Sequence, residues 1–595
     1  MLTRADDFFQ ELQQAATMVP NHRRAYAVVN RVFLRTLDQK TGIAGIRFGG
    51  TFAKTDYLLK EYHAARGLRQ TVNDARVRLR RLHELDEEAL AHNFLYDLKA
   101  VSQFVALVCQ VPVPGVLAAR FPGSRATRQG TLKTDCLRVI VNRWDDTFLY
   151  AEADEEGTDE VRVFYGGTSP VAVYKDWDWG YLRQMLRRDC QLNLVRPREH
   201  EGTLYPELII FEPDYLVDIS AVAACFESYA ATPLNHLLNK LKPAAATSAI
   251  VLGNLASQFL DEELYRRNDD ASPAAGSYGQ SVQQFFRRHA LSLLTTELEG
   301  DFHAKAQSQQ QNIRHTLGTV LPAVLRNDGI QRFDASEIMV EPSFFSEMLG
   351  LQGRMDFLHR DYKVLIEQKS GKGGFPQRDP DTPTLQQKHY VQLLLYMLLL
   401  RYNYPAQYRQ NGGIFAFLLY SKYKNGLLPL SYAPALVFDA IKVRNEMASN
   451  EFDYTRGSID ILTALTANNL NANHASGVLW ERYQKPQIES ILDPIRQASP
   501  LERAYFLRFM TFLETEHLMA KVGNQTTENS GFADKWHSTL EEKLQAGNIF
   551  YNLTMESPAP NDNTRVSQVV LRIVGEASKL CEVGEASKLC EVGEA

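Results

Sequence analysis

The pattern of apolar and polar positions divides the chain into regions of different character. Residues 1–205 combine helical periodicity, as in residues 72–92, with alternating segments such as residues 137–141. We therefore expect an N-terminal mixed α/β region there, of unknown role. Residues 451–548 show the pattern of amphipathic helices, and residues 549–573 change to short alternating runs that predict the start of a β region.

The pattern within residues 350–400 predicts a hairpin followed by a helix. A strand through residues 355–358, a tight turn at 359–361 and a second strand at 362–369 precede a polar loop. A Leu-rich helix follows, for which Thr384 is the predicted N-cap. Alternate strand residues share a face, so Glu367 and Lys369 project together, with Asp356 beside them on the neighbouring strand.

These side chains suggest hydrolytic chemistry. Two converging carboxylates are typical ligands of Mg²⁺ or Mn²⁺, and an adjacent ammonium can orient a water or stabilise developing negative charge. On the predicted helix, His389, Gln392 and Tyr396 recur at i, i+3 and i+7 and share one face. Such side chains could hold the site and contact DNA. The plainer interpretation is a surface salt bridge on two strands and a partly exposed helix.

The composition is that of a folded protein with several domains. The 595 residues contain 65 Lys and Arg against 71 Asp and Glu, for a net charge of −6, and 45% are hydrophobic. Nucleic-acid binding would therefore need local basic surfaces. Two arginine clusters could contact phosphates, although solvated helix faces are the commoner interpretation. The clusters are Arg76, Arg78, Arg80 and Arg81, and then Arg183, Arg187, Arg188, Arg196 and Arg198.

Several classes of protein are excluded by the sequence. The longest apolar run, residues 391–400, is too short to span a bilayer, so we expect no membrane segment. Six Cys without a C-x-x-C pair favour a cytoplasmic protein. The GGTFAKT segment at residues 49–55 lacks the spacing of a phosphate-binding loop, so we expect no ATP site. The nine-residue repeat in residues 574–595 is too short to build a solenoid, and we interpret it as an aberrant tail.

Three blocks resemble the RecB-like branch of the PD-(D/E)xK nucleases, in order and in spacing. They are G-R-M-D at residues 353–356, I-E-Q-K at 366–369 and Q-L-L-L-Y at 392–396. The likeness extends to E-P-D-Y-L-V at 212–217 and K-V-R-N-E-M at 442–447. It covers about residues 206–450 and points to the nuclease half of the DNA replication helicase/nuclease family, which processes flaps and resected ends.

The resemblance implies a fold, a reaction and a set of site residues. The implied fold is α/β (α+β), a restriction-endonuclease-like mixed sheet flanked by helices, and the implied activity is that of a Mg²⁺- or Mn²⁺-dependent deoxyribonuclease. Asp356 and Glu367 would bind the metal and Lys369 would be the catalytic lysine. Gln392, Tyr396 and His389 would position DNA. The implied substrates are single-stranded ends or flaps, and the implied partner is a superfamily 1 helicase, in cis or in trans.

The chain departs from the family pattern in three respects. Ser257 stands where a metal-binding His is usual, so Asp261 or His303 is a candidate replacement. Cys225 lies near the first cysteine position of the family's iron–sulfur cluster, but residues 397–570 contain no Cys, so we expect no cluster. The helicase half is absent. Two further hypotheses therefore stay open: a catalytically weak DNA-binding scaffold for a helicase, and a defence or restriction nuclease with the same fold.

Overall fold

The computed structural model describes the chain apart from a set of segments. Those segments are residues 1–4, 43–47, 124–134, 159, 169–176, 244–246, 269–276, 328–336, 378, 524–530, 539, 541–542, 545–548, 551–552, 556–570 and 574–595. The repeat tail that the sequence suggests at 574–595 therefore lies outside the described residues, as does most of the polar stretch between residues 268 and 281.

The first part of the chain is helical. It contains α1 (Ala5–Thr17), α2 (His22–Thr41), α3 (Gly50–Glu61), α4 (Arg66–Arg80), α5 (Glu87–Cys109) and α6 (Gly115–Ala118). They bury one apolar core around Phe8, Phe33 and Phe104. The helix predicted over residues 72–92 is two helices, because Asp86 caps α5 by accepting a hydrogen bond from the backbone N–H of Ala89.

A seven-stranded sheet follows the helices. Its strands are β1 (Cys136–Trp144), β2 (Phe148–Ala153), β3 (Val161–Phe164), β4 (Gln191–Val195), β5 (Arg198–His200), β6 (Thr203–Tyr205) and β7 (Leu208–Phe211). Their order is β5-β6-β3-β2-β1-β4-β7, and all neighbours are antiparallel except β3 and β6. The boundary expected at residue 206 falls inside this sheet, because β7 pairs with β4. The N-terminal region is thus a helical unit followed by a sheet that extends past that boundary.

A second α/β unit begins with short elements and several helices. These are β8 (Val217–Asp218), α7 (Ile219–Ala224), β9 (Phe226–Glu227), β10 (Ala230–Ala231), α8 (Leu234–Leu241), α9 (Ser248–Asn268), α10 (Tyr278–Arg288), α11 (Ala290–Leu294), α12 (Phe302–His315) and α13 (Leu321–Asn327). The unit continues with β11 (Ile338–Val340), β12 (Ser343–Ser346), β13 (Leu351–Arg354), β14 (Phe357–His359), β15 (Val364–Lys369), α14 (Gln387–Asn403), α15 (Pro405–Gln410), β16 (Phe415–Tyr420), β17 (Leu427–Leu430) and α16 (Pro434–Tyr454).

The central sheet of this unit has the order β11-β14-β15-β16-β17. Strands β15 and β16 are parallel and the other pairs are antiparallel. Because alternate residues point to opposite faces, Leu365 packs toward α14, whereas Ile366 packs toward α9 and α12. The smaller sheet β12-β13-β8 adjoins it. The expected fold class, a mixed sheet flanked by helices, is confirmed.

The remaining described elements are mostly helices. They are α17 (Ala467–Leu470), α18 (Lys485–Gln497), α19 (Pro500–Val522), α20 (Asp534–His537) and the antiparallel pair β18 (Leu553–Met555) and β19 (Leu571–Ile573). Helices α17–α20 lie within residues 451–548, for which the sequence predicts amphipathic helices. Within the part of the chain that is described, no helix is both long enough and apolar enough to cross a membrane.

Two consecutive residues of α16 fasten the second unit to the seven-stranded sheet. The buried guanidinium of Arg444 donates hydrogen bonds to the carbonyl oxygens of Phe211, Glu212, Tyr215 and Gly350. Asn445 accepts from the Phe211 N–H at 2.9 Å and donates to Ile209 O at 2.8 Å. The K-V-R-N-E-M block thus binds the backbone of the E-P-D-Y-L-V block.

Candidate active site

The β14–β15 hairpin brings the two expected carboxylates to one place. Phe357 pairs with Ile366, so Asp356 and Glu367 lie at adjacent positions on neighbouring strands. Asp356 Oδ2 accepts a hydrogen bond from the Gln368 N–H at 2.6 Å, which fixes the carboxylate against β15. The hairpin predicted from alternation is therefore present, with its turn between His359 and Val364.

Glu367, Lys369 and Gln392 form a closed triangle of hydrogen bonds. Lys369 Nζ donates to Glu367 Oε1 and to Gln392 Oε1, both at 2.9 Å. Gln392 Nε2 donates to the same Glu367 Oε1 at 2.7 Å. One amide therefore holds the acid and the ammonium of the E-x-K block in a fixed relation. The strand period and the helix period together suffice to predict this convergence.

Tyr396 lies one helical turn beyond Gln392 and supports the strand that leads to Asp356. Its hydroxyl donates to the Arg354 carbonyl oxygen at 2.6 Å, and the ring is fully buried. A Cβ atom at Gly353 would lie 2.9 Å from Tyr396 Cε1. The absence of a side chain at the glycine of the G-R-M-D block therefore makes room for the ring of this tyrosine.

His389 lies near the triangle but has a different partner. Its Nδ1 is 2.8 Å from the hydroxyl of Tyr420, at the end of β16. Burial, together with the charges of Lys369 and Lys388, lowers the pKa of His389 to about 3, so the ring is neutral. The predicted N-cap is wrong: α14 begins after Gln386, and the Thr384 hydroxyl instead donates to Pro376 O at 3.1 Å.

The electrostatics of Asp356 and Glu367 suit a bound cation. Burial and the neighbouring Asp356 raise the pKa of Glu367 to about 8, and burial also raises the pKa of Asp356. Glu367 is 3% exposed, and among the described residues its Oε2 has no hydrogen-bond partner. A buried carboxylate oxygen without a donor is costly, and a hard divalent cation is the ligand that such oxygens prefer. The donor set at Asp356 and Glu367 therefore fits Mg²⁺ or Mn²⁺.

Helix α9, which carries Ser257, contacts the C-terminal end of β15 through its backbone. The Ser257 hydroxyl donates to Gly253 O in its own helix at 3.3 Å. Gln368 Nε2 donates to Ala256 O, and a Cβ atom at Gly253 would meet Ser370 Oγ at 3.1 Å. Helix α9 thus runs antiparallel to β15, which carries Asp261 away from the C-terminal end of the strand.

Two other residues named from the family pattern have partners elsewhere. His303 Nδ1 is 2.9 Å from the Tyr278 hydroxyl, in an aromatic contact between α10 and α12. Cys225 is buried, with its Sγ 3.7 Å from the sulfur of Met447. These contacts give each residue a packing role in the structure.

A second acidic cluster, which sequence reasoning missed, joins three helices. Ligand atoms of Glu451, Glu514 and His517 lie within 4.8 Å of one another. Lys240 Nζ is 2.6 Å from Glu451 Oε1 and 2.7 Å from Glu514 Oε2. The ammonium of Lys240 therefore lies between the two carboxylates, where a metal ion would otherwise bind. The residues lie on α8, α16 and α19, and their separation along the chain leaves no local signal in the sequence.

The arginine clusters are mainly structural. Arg76 and Arg78 are buried, and they form ion pairs with Asp154 at 2.6 Å and with Asp97 at 2.5 Å. Neither the phosphate-binding nor the solvated interpretation applies to them, because acids on α5 and just after β2 neutralise them. Other members also pair with acids: Arg80 with Asp154, Arg81 with Glu155, Arg183 with Asp146, Arg187 with Glu212 and Arg196 with Glu207.

Comparison with known families agrees with this geometry. Residues 218–503 match the model of the PD-(D/E)XK nuclease superfamily, whose members are typically nucleases that use Mg²⁺ or Mn²⁺. The match contains the whole five-stranded sheet and the helices on both of its faces. No curated protein matches the chain. Residues 218–503 are therefore similar to the PD-(D/E)XK nuclease superfamily.

Proposed function

We propose that this protein is a Mg²⁺- or Mn²⁺-dependent deoxyribonuclease that hydrolyses phosphodiester bonds at single-stranded ends or flaps of DNA. The observation that carries the proposal is the state of Glu367. One of its oxygens accepts from Lys369 and Gln392, while the other is buried and has no partner among the described residues. Such an arrangement leaves one oriented oxygen for a metal, with Asp356 as the second ligand.

The residues of the site have separate tasks in this mechanism. A bound divalent cation would lower the pKa of a water and offset negative charge on the phosphate. Lys369 Nζ orients the attacking water or stabilises the charge that develops on the phosphate. Gln392 holds Lys369 and Glu367 in register, and Tyr396 fixes the strand next to Asp356 through the Arg354 carbonyl. His389 is a neutral positioning residue beside Lys369.

The substrate and the partner in this proposal rest on the resemblance of the E-x-K and Q-x-x-x-Y blocks to the flap- and end-processing family. We accordingly place the protein in DNA replication or repair in the cytoplasm, acting with a superfamily 1 helicase in cis or in trans. Single-stranded ends are the product of such a helicase, so the two activities would share one strand.

A second candidate function is a catalytically weak DNA-binding scaffold. It is favoured by Ser257, which stands where the family has a metal-binding His. The Ser257 hydroxyl is engaged with its own helix at Gly253 O. Under this hypothesis DNA still binds, but the metal is held too weakly for efficient cleavage.

The test is cleavage of end-labelled single-stranded, flapped and duplex DNA by the full chain, with Mg²⁺, Mn²⁺ or EDTA. We expect metal-dependent cutting that prefers the single-stranded and flapped substrates and is lost in Asp356→Ala. DNA binding without cleavage in either metal would favour the scaffold. Cleavage that persists in Asp356→Ala would contradict the assignment of the site.

A further inference from the structure

The catalytic strand and its parallel neighbour end at the same edge of the sheet. Lys369 pairs with Tyr420, and the Ser421 N–H donates to Lys369 O at 3.0 Å. Lys372 follows β15 by three residues, and Lys422 follows β16 by two. The segments that follow β15 and β16 therefore leave the sheet side by side. Lys372 and Lys422 are both exposed.

Helix α12 fastens the two strand ends together. Gln309 Nε2 donates to Ser370 O at 3.2 Å, and the Ser421 hydroxyl donates to Gln309 Oε1 at 2.7 Å. Asn312 Nδ2 donates to Ser421 O at 3.0 Å. The backbone that precedes each lysine is therefore held in a fixed position, so the lysines are presented on a rigid support.

The lysines at this edge differ in how their charge is balanced. Lys305, one turn before Gln309 on α12, pairs with Glu299 and with Asp301, the latter at 2.8 Å. Within the described ranges, neither Lys372 nor Lys422 has a carboxylate within ion-pair distance. Burial lowers the pKa of Lys422, and the charges of Lys372 and Lys305 lower it further. Like charges held together in this way are relieved by a bound anion.

We propose that Lys372 and Lys422 form a phosphate-binding site for the DNA strand beside the catalytic lysine. Three residues span at most about 10 Å, so Lys372 lies within that distance of Lys369 along the chain. One strand of B-DNA carries a phosphate every ~3.4 Å of its axis, so the bound phosphate is a few nucleotides from the reacting one. The site rests on the proposed function, and it supplies the local basic surface that a chain with a net charge of −6 needs.

The test measures binding of a fluorescent single-stranded DNA to the full chain in EDTA, where the strand stays intact, between about 50 and 200 mM salt. The variant is Lys372→Ala/Lys422→Ala. Each phosphate contact contributes about 0.7 to the slope of log K against log salt for a single strand. Because the two lysines bind one phosphate, the double variant should lower the slope by about 0.7. Lys372→Arg/Lys422→Arg keeps both charges and should keep the wild-type slope.

A matched control is Lys363→Ala, at the opposite end of β15. Lys363 precedes a six-residue strand, about 20 Å from Lys369, so the slope should not change. An unchanged slope in the double alanine variant, or an equal loss in Lys363→Ala, would overturn the phosphate site. If the wild-type chain cleaves DNA while the double variant keeps its slope, only the phosphate site is wrong. If the wild type neither binds nor cleaves DNA, the proposed function fails and the phosphate site fails with it.

Discussion

The two oxygens of the Glu367 carboxylate have different surroundings, and this difference organises the site. Oε1 receives two donors, whereas Oε2 is buried without one among the described residues. Because burial and Asp356 raise the pKa of Glu367 to about 8, a metal that binds at neutral pH must displace a proton. Lys369 favours the ionised acid, so the E-x-K spacing stabilises the form that binds metal.

Lys369→Ala should abolish cleavage and leave DNA binding nearly unchanged. The ammonium acts on the reacting water or phosphate, so its loss removes transition-state stabilisation rather than strand affinity. Single-turnover cleavage should fall by at least about 100-fold, while the Kd from fluorescence anisotropy changes by less than about threefold. A parallel fall in binding and cleavage would show that the lysine is a strand contact and has no chemical role.

Gln392→Ala should weaken metal binding. Among the described residues, Gln392 makes the only hydrogen bonds from α14 to Glu367 and Lys369. Partners that orient metal ligands are worth about 10- to 100-fold in metal affinity or activity. The measurement is the Mn²⁺ concentration that gives half-maximal cleavage. Lys388→Ala is the control on the same helix, since Lys388 pairs with Glu227 and should leave the metal requirement unchanged. Equal metal requirements in wild type and Gln392→Ala would contradict the orienting role.

At this scale the sequence predicts local geometry well and long-range partners poorly. Periodicity suffices to bring Glu367, Lys369 and Gln392 together, because two residues on one face of a strand meet one face of the next helix along the chain. It fails for His389, whose partner Tyr420 comes from a strand that begins 26 residues later. It fails also for Arg78, because the acids that neutralise it lie on α5 and in the segment after β2.

At the scale of the elements, the G-R-M-D strand and the Q-x-x-x-Y helix are a packed pair. Gly353→Ala should destabilise the fold by about 1–3 kcal/mol, since the added methyl would lie 2.9 Å from the Tyr396 ring. Thermal unfolding measures this effect. Gly371→Ala is the control, because a Cβ atom there has no neighbour within 4 Å. A normal melting temperature with full activity in Gly353→Ala would mean that Tyr396 accommodates the added methyl without loss of stability.

The α8–α16–α19 cluster should make stability depend on pH. Burial and the neighbouring Glu451 raise the pKa of Glu514 from 4.5 to about 7, so the folded chain holds this proton more tightly than the unfolded chain. The contribution of Glu514 to stability is therefore complete below about pH 4.5 and is lost as the pH rises through 7. Glu514→Gln cannot titrate and should lose less stability than wild type between pH 5 and pH 8.

The matched control for this pH effect is Glu516→Gln, two residues further along α19 and exposed, which should follow the wild-type profile. The comparison uses melting temperatures of the three chains across that pH range. A wild-type profile in Glu514→Gln would show that titration of Glu514 does not cause the pH dependence. This cluster could not be predicted from sequence, because helix periodicity gives the face of each helix but not which three helices meet.

At the scale of the whole molecule, residues 218–503 and the seven-stranded sheet share one hydrophobic core. Leu192 and Ile210 of the sheet belong to the same buried cluster as Leu395 and Leu418. Arg444 adds hydrogen bonds to carbonyls on both sides of this junction. The match to the superfamily starts at residue 218, but the packing of that domain depends on strands that come before it.

A fragment that begins at residue 206 should therefore not fold stably. It keeps β7 but removes β4, the partner of β7, and so exposes Leu208–Phe211, all of which are fully buried in the chain. Exposing four such side chains costs about 1.5–3 kcal/mol each, which is comparable to the whole stability of a domain. A fragment that begins at residue 135 retains β1–β7 and should unfold cooperatively.

Limited proteolysis and thermal unfolding of both fragments, each ending at residue 523, test this expectation. We expect rapid digestion of the shorter fragment and a protease-resistant core in the longer one. Equal resistance would mean that β7 needs no partner and that residues 218–503 fold independently of the sheet. Sequence patterns could not place this boundary, because the short alternating strands at 198–211 are separated by turns that also occur between domains. Only the pairing of β7 with β4 shows that the sheet continues past residue 206.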